Sequence, residues 1–179
     1  MFKYAIEKDL ELRLLENNNA EEMFKLIDSC RNHLREWLPW VDNTKSSDDT
    51  KNFIEITKKQ FASNNGFQAG IWYRGEFAGA IGYHGINWAN KSTSIGYWLG
   101  KNHVGKGIMT KACKAFIDYA LIDLKLNRVE IRCAENNYKS RAIPERLGFT
   151  KEGVIREAEW LFNHYVNHVI YGILVSEWK

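Results

Sequence analysis

The chain has 179 residues, 45% of them apolar and 26% charged, and a net charge of +3. That is the composition of a globular domain with a full core, and a charge this mild, with no lysine or arginine run, argues against a nucleic-acid partner. Thirteen glycines and two prolines (Pro39 and Pro144) exclude a low-complexity chain, no stretch reaches the ~20 apolar residues of a membrane span, and residues 1–9 are too charged for a signal peptide.

One domain over residues 1–179, in the cytoplasm and away from membranes, is therefore the expectation. The three cysteines (Cys30, Cys113 and Cys133) contain no CxxC pair. Two of them fall in apolar periodic stretches and read as buried, reduced thiols.

Leu10, Leu12 and Leu14 alternate with Glu11 and Arg13, which predicts a half-buried first strand. Asn18 or Asn19 can cap a helix over residues 20–36, with Met23, Phe24, Ile27, Cys30 and Leu34 on one face. Trp37-Leu38-Pro39-Trp40 stops it in a rigid, apolar corner. Ser46 to Asp49 caps a second helix, which ends at the left-handed signal Asn65-Gly66. Residues 67–73 and 77–83 form a hairpin around Arg74-Gly75, and a turn near residues 87–91 leads into a fourth strand, 92–99.

A helix over 108–124 follows, with Met109, Ala112, Cys113, Phe116, Ile117, Ala120 and Leu124 at helical spacing. Val129, Ile131 and Cys133 predict the fifth strand. Pro144 belongs in a helix's first turn, so the next helix is expected to begin near Ser140, with Ser140 as its N-cap. Strands over 154–162 and 169–175 close the chain. The order βααβββαβαββ describes an α/β domain with a mixed, mostly antiparallel sheet.

The most informative stretch joins the fourth strand to its helix. Gly105 and Gly107 let backbone approach something bulky, and the helix start offers free N–H groups and the positive end of the dipole, an anion site. A P-loop needs GxxxxGK[ST], which is absent. In a dinucleotide fingerprint, Thr110 would stand at the third glycine, where close helix–strand packing is required. Elsewhere, His164 and His168 are spaced i, i+4 in a region that alternates like a strand, which disfavours a metal pair. His103 reads as an exposed turn residue.

Ile95-Gly96-Tyr97-Trp98-Leu99, Gly105-Lys106-Gly107-Ile108, Glu135-Asn136-Asn137-Tyr138-Lys139-Ser140, Leu147-Gly148-Phe149 and Glu152-Gly153 follow one another in one register. In this the chain resembles the GNAT superfamily of acetyl-CoA-dependent N-acetyltransferases, and within it the RimJ/RimL group, which acetylates the N-termini of ribosomal proteins. The resemblance spans nearly the whole chain. It implies a single-domain GNAT fold, a twisted sheet flanked by helices with a splay between the fourth and fifth strands.

It also implies acetyl-CoA as cosubstrate, no metal, a protein N-terminal amine as acceptor, and a homodimer. Amides from Gly105, Lys106, Gly107, Ile108, Met109 and Thr110 would hold the pyrophosphate. Backbone of Tyr97, Trp98 and Leu99 would pair with the pantetheine arm, and Asn137 would touch it. Val104 stands where the superfamily usually has Gln or Arg, and Met109 where it has Gly or Ala. Backbone amides and Lys106 or Lys111 are expected to compensate for the missing side-chain donor.

An α-amine has a pKa near ~7.7–8.0, so its transfer chemistry needs a base. The resemblance places that base at Glu159, beside Trp160, where desolvation by an apolar strand would favour the protonated form. Glu157 is the alternate. The resemblance puts the leaving thiolate's proton donor at Ser140, with Tyr138 as the alternate, and an N–H near Leu99 as oxyanion donor. Trp37, Trp40 and Phe67 match acceptor-pocket positions. Two other readings stay open: a small-molecule amine as acceptor, or a catalytically silent acyl-CoA-binding protein. Val104 and Met109 favour the silent protein, while Glu159 with Ser140 argues against it.

Overall fold

A computed structural model of the chain describes residues 3–179. Met1 and Phe2, part of the charged opening stretch, lie outside them. The first described residues form a strand that the sequence does not announce. β1 (Lys3–Glu7) is almost wholly exposed, so no apolar alternation marks it. It pairs antiparallel with β2 (Leu10–Leu14), whose Leu10 and Leu12 are buried as expected.

The helix expected over 20–36 is two helices. α1 (Ala20–Ser29) ends at Cys30, where the backbone turns to φ −137°, and α2 (Arg31–Arg35) resumes at once. Arg31 anchors this break by donating to the carbonyls of Val41 (3.0 Å) and Thr44 (2.6 Å), which draws the following corner back against the helices. Asn19 precedes α1 but does not cap it; its Oδ1 accepts instead from the Glu16 N–H at 2.9 Å. α3 (Ser47–Ala62) begins with the expected acids, as a capping box between Ser46 and Asp49.

β3 (Gln68–Tyr73) and β4 (Glu76–Asn87) form the hairpin, with Arg74 and Gly75 at φ 54° and 84°, the double positive φ that a two-residue turn requires. β5 (Ser92–Leu99) continues the meander. α4 (Ile108–Asp118) crosses over and ends in a π-helical turn, Tyr119–Asp123. β6 (Arg128–Ala134) returns parallel to β5. α5 (Tyr138–Arg146), β7 (Thr150–Leu161) and β8 (His164–Leu174) complete the chain.

The eight strands form one sheet in the order β1-β2-β3-β4-β5-β6-β8-β7. Among the described residues only the β5–β6 pair is parallel. One sheet face buries Tyr83, Ile95, Ile131, Val169 and Tyr171 under α4. A second cluster packs Ile27, Leu34 and Ile54 of α1–α3 against Trp72 and Phe77, with Trp98 at its border.

α5 starts two residues before Ser140. Its N-cap is Asn137, whose Oδ1 accepts from the Ser140 N–H at 3.1 Å, so Ser140 receives the cap instead of supplying it. Pro144 accordingly lies inside the helix. It lacks the N–H that would bond the carbonyl of Ser140 four residues back. That carbonyl accepts from the Tyr97 hydroxyl instead, at 3.1 Å. A long-range bond replaces the missing helical one, which is why the proline is tolerated here. Asn137→Ala is expected to lower stability by about 1 kcal/mol, the usual cost of a lost N-cap. Calorimetry should then read a melting temperature lower by roughly 2–4 °C.

Candidate active site

The glycine loop lies between β5 and α4. Gly105 and Gly107 stand at φ 81° and 73°, where a side chain would be strained. A Cβ at either position would meet nothing within 4 Å. These glycines thus set the path of the backbone, and the space beside them is open. Gly107 is the N-cap of α4 and no side chain caps the helix, so its first amides lack intrahelical acceptors. Ile108 and Met109 are buried, so Met109 fills core and only their peptide groups are available outside it.

The cations expected to assist are partly engaged. Lys111 reaches both carboxylate oxygens of Glu7 on β1 at 2.7 Å, and the Lys106 ammonium lies 5.6 Å from the Tyr73 ring centre. The Thr110 hydroxyl accepts from Arg146, at the end of α5, at 3.0 Å. His103 corrects the sequence reading: it is buried, at 8% exposure, and its Nδ1 has no partner among the described residues. Burial, helped by nearby Lys106, holds its imidazole below the usual histidine range.

Upstream of the loop, β5 loses a neighbour. Its pairing with β6 runs from Ser92↔Arg128 to Ile95↔Ile131 and includes none of residues 96–99. On the other edge, β4 stays paired with β5 to Gly79↔Leu99, and Gly100 N–H donates to Ala78 at 2.8 Å. Antiparallel pairs alternate, so Gly96 and Trp98 exchange bonds with β4, while the peptide groups of Tyr97 and Leu99 point toward the β6 side.

On the α4–α5 face of this opening stands a neutral cluster. The Ser140 hydroxyl lies 3.3 Å from both the Tyr97 hydroxyl and the Cys133 sulfur, and the Tyr97 hydroxyl lies 4.0 Å from that sulfur. Burial pushes the Tyr97 phenol well above its ordinary range and raises the Cys133 thiol. Tyr138, by contrast, is 69% exposed, with the Arg141 guanidinium 5.6 Å from its ring.

The opposite face carries the ionisable pair. Arg156, Glu157 and Ala158 form a bulge in β7, where the register jumps from Ile155↔His168 to Glu159↔Val166. Asn167 of β8 pins the bulge: its Oδ1 accepts from the Glu157 N–H at 2.9 Å, and its Nδ2 donates to Glu135 at 2.8 Å. Glu157 sits at φ 51° inside the bulge, so simple strand alternation does not carry from it to Glu159. Beyond the bulge, Glu159 Oε2 lies 3.2 Å from His168 Nε2, with side-chain exposures of 33% and 19%. Trp160 is 53% exposed, with its ring edge-on to Tyr165. The strand pairings put His168, Glu159, Gly96 and Trp98 on one sheet face, and Ile95, Ile131 and Val169 on the other.

Trp40 packs its ring 5.8 Å from Trp98, forming a wall on that same face. Trp37 is half-buried on the same corner. Across from it, the Arg35 guanidinium lies 3.8 Å from the centre of the Phe162 ring, tying the end of α2 to the β7–β8 turn. Phe67 is not brought to this wall. It is buried in the main core against Tyr83, Phe116 and Tyr119. His164 and His168 share a strand face four residues apart, a separation of roughly 13 Å along the strand. Among the described residues no group of three or more His, Cys, Asp or Glu could hold a metal ion.

Comparison with known proteins places this geometry. The YdaF protein of Bacillus subtilis (strain 168) is 38% identical over 180 residues, spanning 100% of this chain and 98% of its own. A structure of RimL, a ribosomal-protein α-N-acetyltransferase, in complex with coenzyme A superposes with a TM-score of 0.93 at 25% identity, covering 97% of this chain and 98% of that one. A structure of the microcin self-immunity acetyltransferase MccE with acetyl-CoA and AMP gives 0.90 at 31% identity, covering 94% of each. The model of the acetyltransferase (GNAT) domain matches residues 9–150, running from β2 through α5, and the chain belongs to that family of acetyltransferases.

Proposed function

We propose that this GNAT acetyltransferase moves acetyl from acetyl-CoA to a protein N-terminal α-amine, with Glu159 as the base. The observation that carries the reading is the opening between β5 and β6. The peptide groups of Tyr97 and Leu99 point into it, an uncapped helix start lies at its end, and an ionisable pair stands on the opposite face. Bound acetyl-CoA supplies an activated thioester.

The chain's own residues then have distinct tasks. Amides from Gly105 to Thr110 receive the pyrophosphate at the open loop. Tyr97 and Leu99 offer peptide groups to the pantetheine amides, in the manner of an added strand, with Trp98 keyed to β4 behind them and Asn137 at the α5 end. The Leu99 N–H meets the negative charge that develops on the acetyl oxygen. Glu159 takes a proton from the ammonium form of the acceptor, which at neutral pH is abundant. Ser140 offers its hydroxyl to the departing sulfur. Its two present neighbours, Tyr97 and Cys133, are neutral, so the hydroxyl can turn without breaking an ion pair. Trp37, Trp40 and Trp98 form the wall along which the acceptor lies.

The name of RimL, together with its fit over nearly all of both chains, favours a ribosomal-protein N-terminus as acceptor. The AMP bound with acetyl-CoA in the MccE structure favours a small-molecule amine as the alternative. Release of coenzyme A, followed with DTNB over a panel of peptides with free N-termini and small-molecule amines, decides between them. Turnover of peptides alone is expected. Turnover of none of the compounds overturns the reading.

Two substitutions examine the assigned roles. Glu159→Gln should lower kcat by roughly 10²–10⁴-fold, the usual weight of a general base. Acetyl-CoA affinity, read by titration calorimetry, should hold within about twofold, because the carboxylate acts on the acceptor. Ser140→Ala leaves the Asn137 cap intact, since the cap bonds a backbone N–H. Its kcat should fall on the order of tenfold, while its melting temperature moves by less than about 3 °C. A normal rate in Ser140→Ala would remove the hydroxyl from the reaction.

A further inference from the structure

We propose that His168 and Glu159 form a single proton acceptor, in which the proton taken from the acceptor amine comes to rest on His168 while Glu159 remains a carboxylate. This rests on the reading of Glu159 as the base. Its new element is His168, a positioning residue that acts through Glu159.

The sheet order supports it. β8 lies between β6 and β7, so His168, opposite Ala134 of β6, stands between the opening and the strand that carries Glu159. The 3.2 Å contact from Nε2 to Oε2 leads from one group to the other. The alignment depends on the bulge that Asn167 pins, because without it the residues opposite β8 would shift.

Other charges around the imidazole are already committed or exposed. On β6, Arg132 shares its sheet face and is bonded to Glu130 at 2.5 Å, and Glu135 is bonded to Asn167. On β7, Arg156 and Glu157 are exposed in the bulge. On its own strand, His164 is exposed and contacts Asn163. Glu159 is thus the carboxylate within hydrogen-bond distance of His168 among the described residues.

The proton balance is simple. The acceptor ammonium gives one proton to Glu159 Oε2. With the resting imidazole carrying its hydrogen on Nδ1, that proton passes to the free lone pair of Nε2, and the product state is an imidazolium beside a carboxylate. The freed amine forms the C–N bond as the C–S bond breaks; the nitrogen then sheds its second proton, which through solvent restores the one that the Ser140 hydroxyl gives to the sulfur, so a single proton is left on the pair. The pair returns its proton to water before the next turnover. An imidazolium 3.2 Å from a carboxylate is held by their opposite charges, a partner that a lone protonated carboxyl group lacks.

The experiment compares wild type, His168→Gln and Glu159→Gln with the peptide turned over fastest in the panel, reading kcat from pH 5 to 9. In wild type the acidic limb should report the pair. In His168→Gln it should move down by at least about one pH unit, with a plateau on the order of tenfold lower, as a weaker base requires. Melting temperature and acetyl-CoA affinity should stay near wild type, which separates this effect from misfolding. An acidic limb that stays in place in His168→Gln, with Glu159→Gln still impaired, overturns the shared proton and leaves Glu159 as the base. A Glu159→Gln enzyme with wild-type kcat overturns both.

Discussion

The parallel ladder between β5 and β6 lasts four residue pairs, and the site depends on where it stops. Peptide groups that lose a ladder partner inside a protein are costly, about 1–3 kcal/mol each when left unsatisfied. Tyr97 is held there regardless, because its side chain is fixed from the other end: its hydroxyl reaches the Ser140 carbonyl. That carbonyl is free to accept because Pro144 has no N–H to give it. A proline in a helix, commonly a defect, here frees an acceptor that holds the end of β5 in place. The peptide groups of Tyr97 and Leu99 are then left without a ladder partner in β6.

The same economy governs the glycine loop. Val104 offers no hydrogen bond, Lys111 is drawn to Glu7, and Met109 is turned into the core. What remains at the loop is backbone. Amides at a helix start recognise the shape and charge of a phosphate group and do not depend on a neighbouring side chain. Under the proposed function, the absent glutamine or arginine therefore removes one donor and leaves the amides. The Glu7–Lys111 pair is half-exposed and worth little on its own, so an incoming anion can recruit Lys111 at small cost.

How much of this was legible in the sequence follows from how local each feature is. The meander, the glycine loop and α4 were readable because alternation, turn glycines and helical periodicity are properties of short stretches. β1 was not, since an exposed edge strand has no buried face to mark it. The start of α5 was misjudged because the rule for proline assumes that the freed carbonyl has no other partner, and the partner, Tyr97, lies 43 positions away. His103 looked exposed because a turn residue usually is. His168 was set aside as half of a metal pair, when its real neighbour comes from β7. That contact depends on a bulge, and nothing in the order Arg156-Glu157-Ala158 declares how many residues will oppose Asn167. Glu159 and Ser140 were reached through family resemblance, since neither residue has a local signal that separates it from an ordinary strand or cap position.

In the proposed mechanism these groups divide the chemistry between the two faces of the sheet. On one face stand Tyr97, Cys133 and Ser140, all neutral, with burial opposing any charge on the phenol and the thiol. On the other stand Glu159 and His168, which keep access to water. A carboxylate beside the departing thiolate would repel it, at a cost that grows as the site dries. A neutral hydroxyl there can only help. A base needs the opposite surroundings, since it must hold a proton and then release it to solvent. In that mechanism the open stretch of β5–β6 lets the two environments meet at one bond without merging, and the short ladder matters more than any single side chain around it.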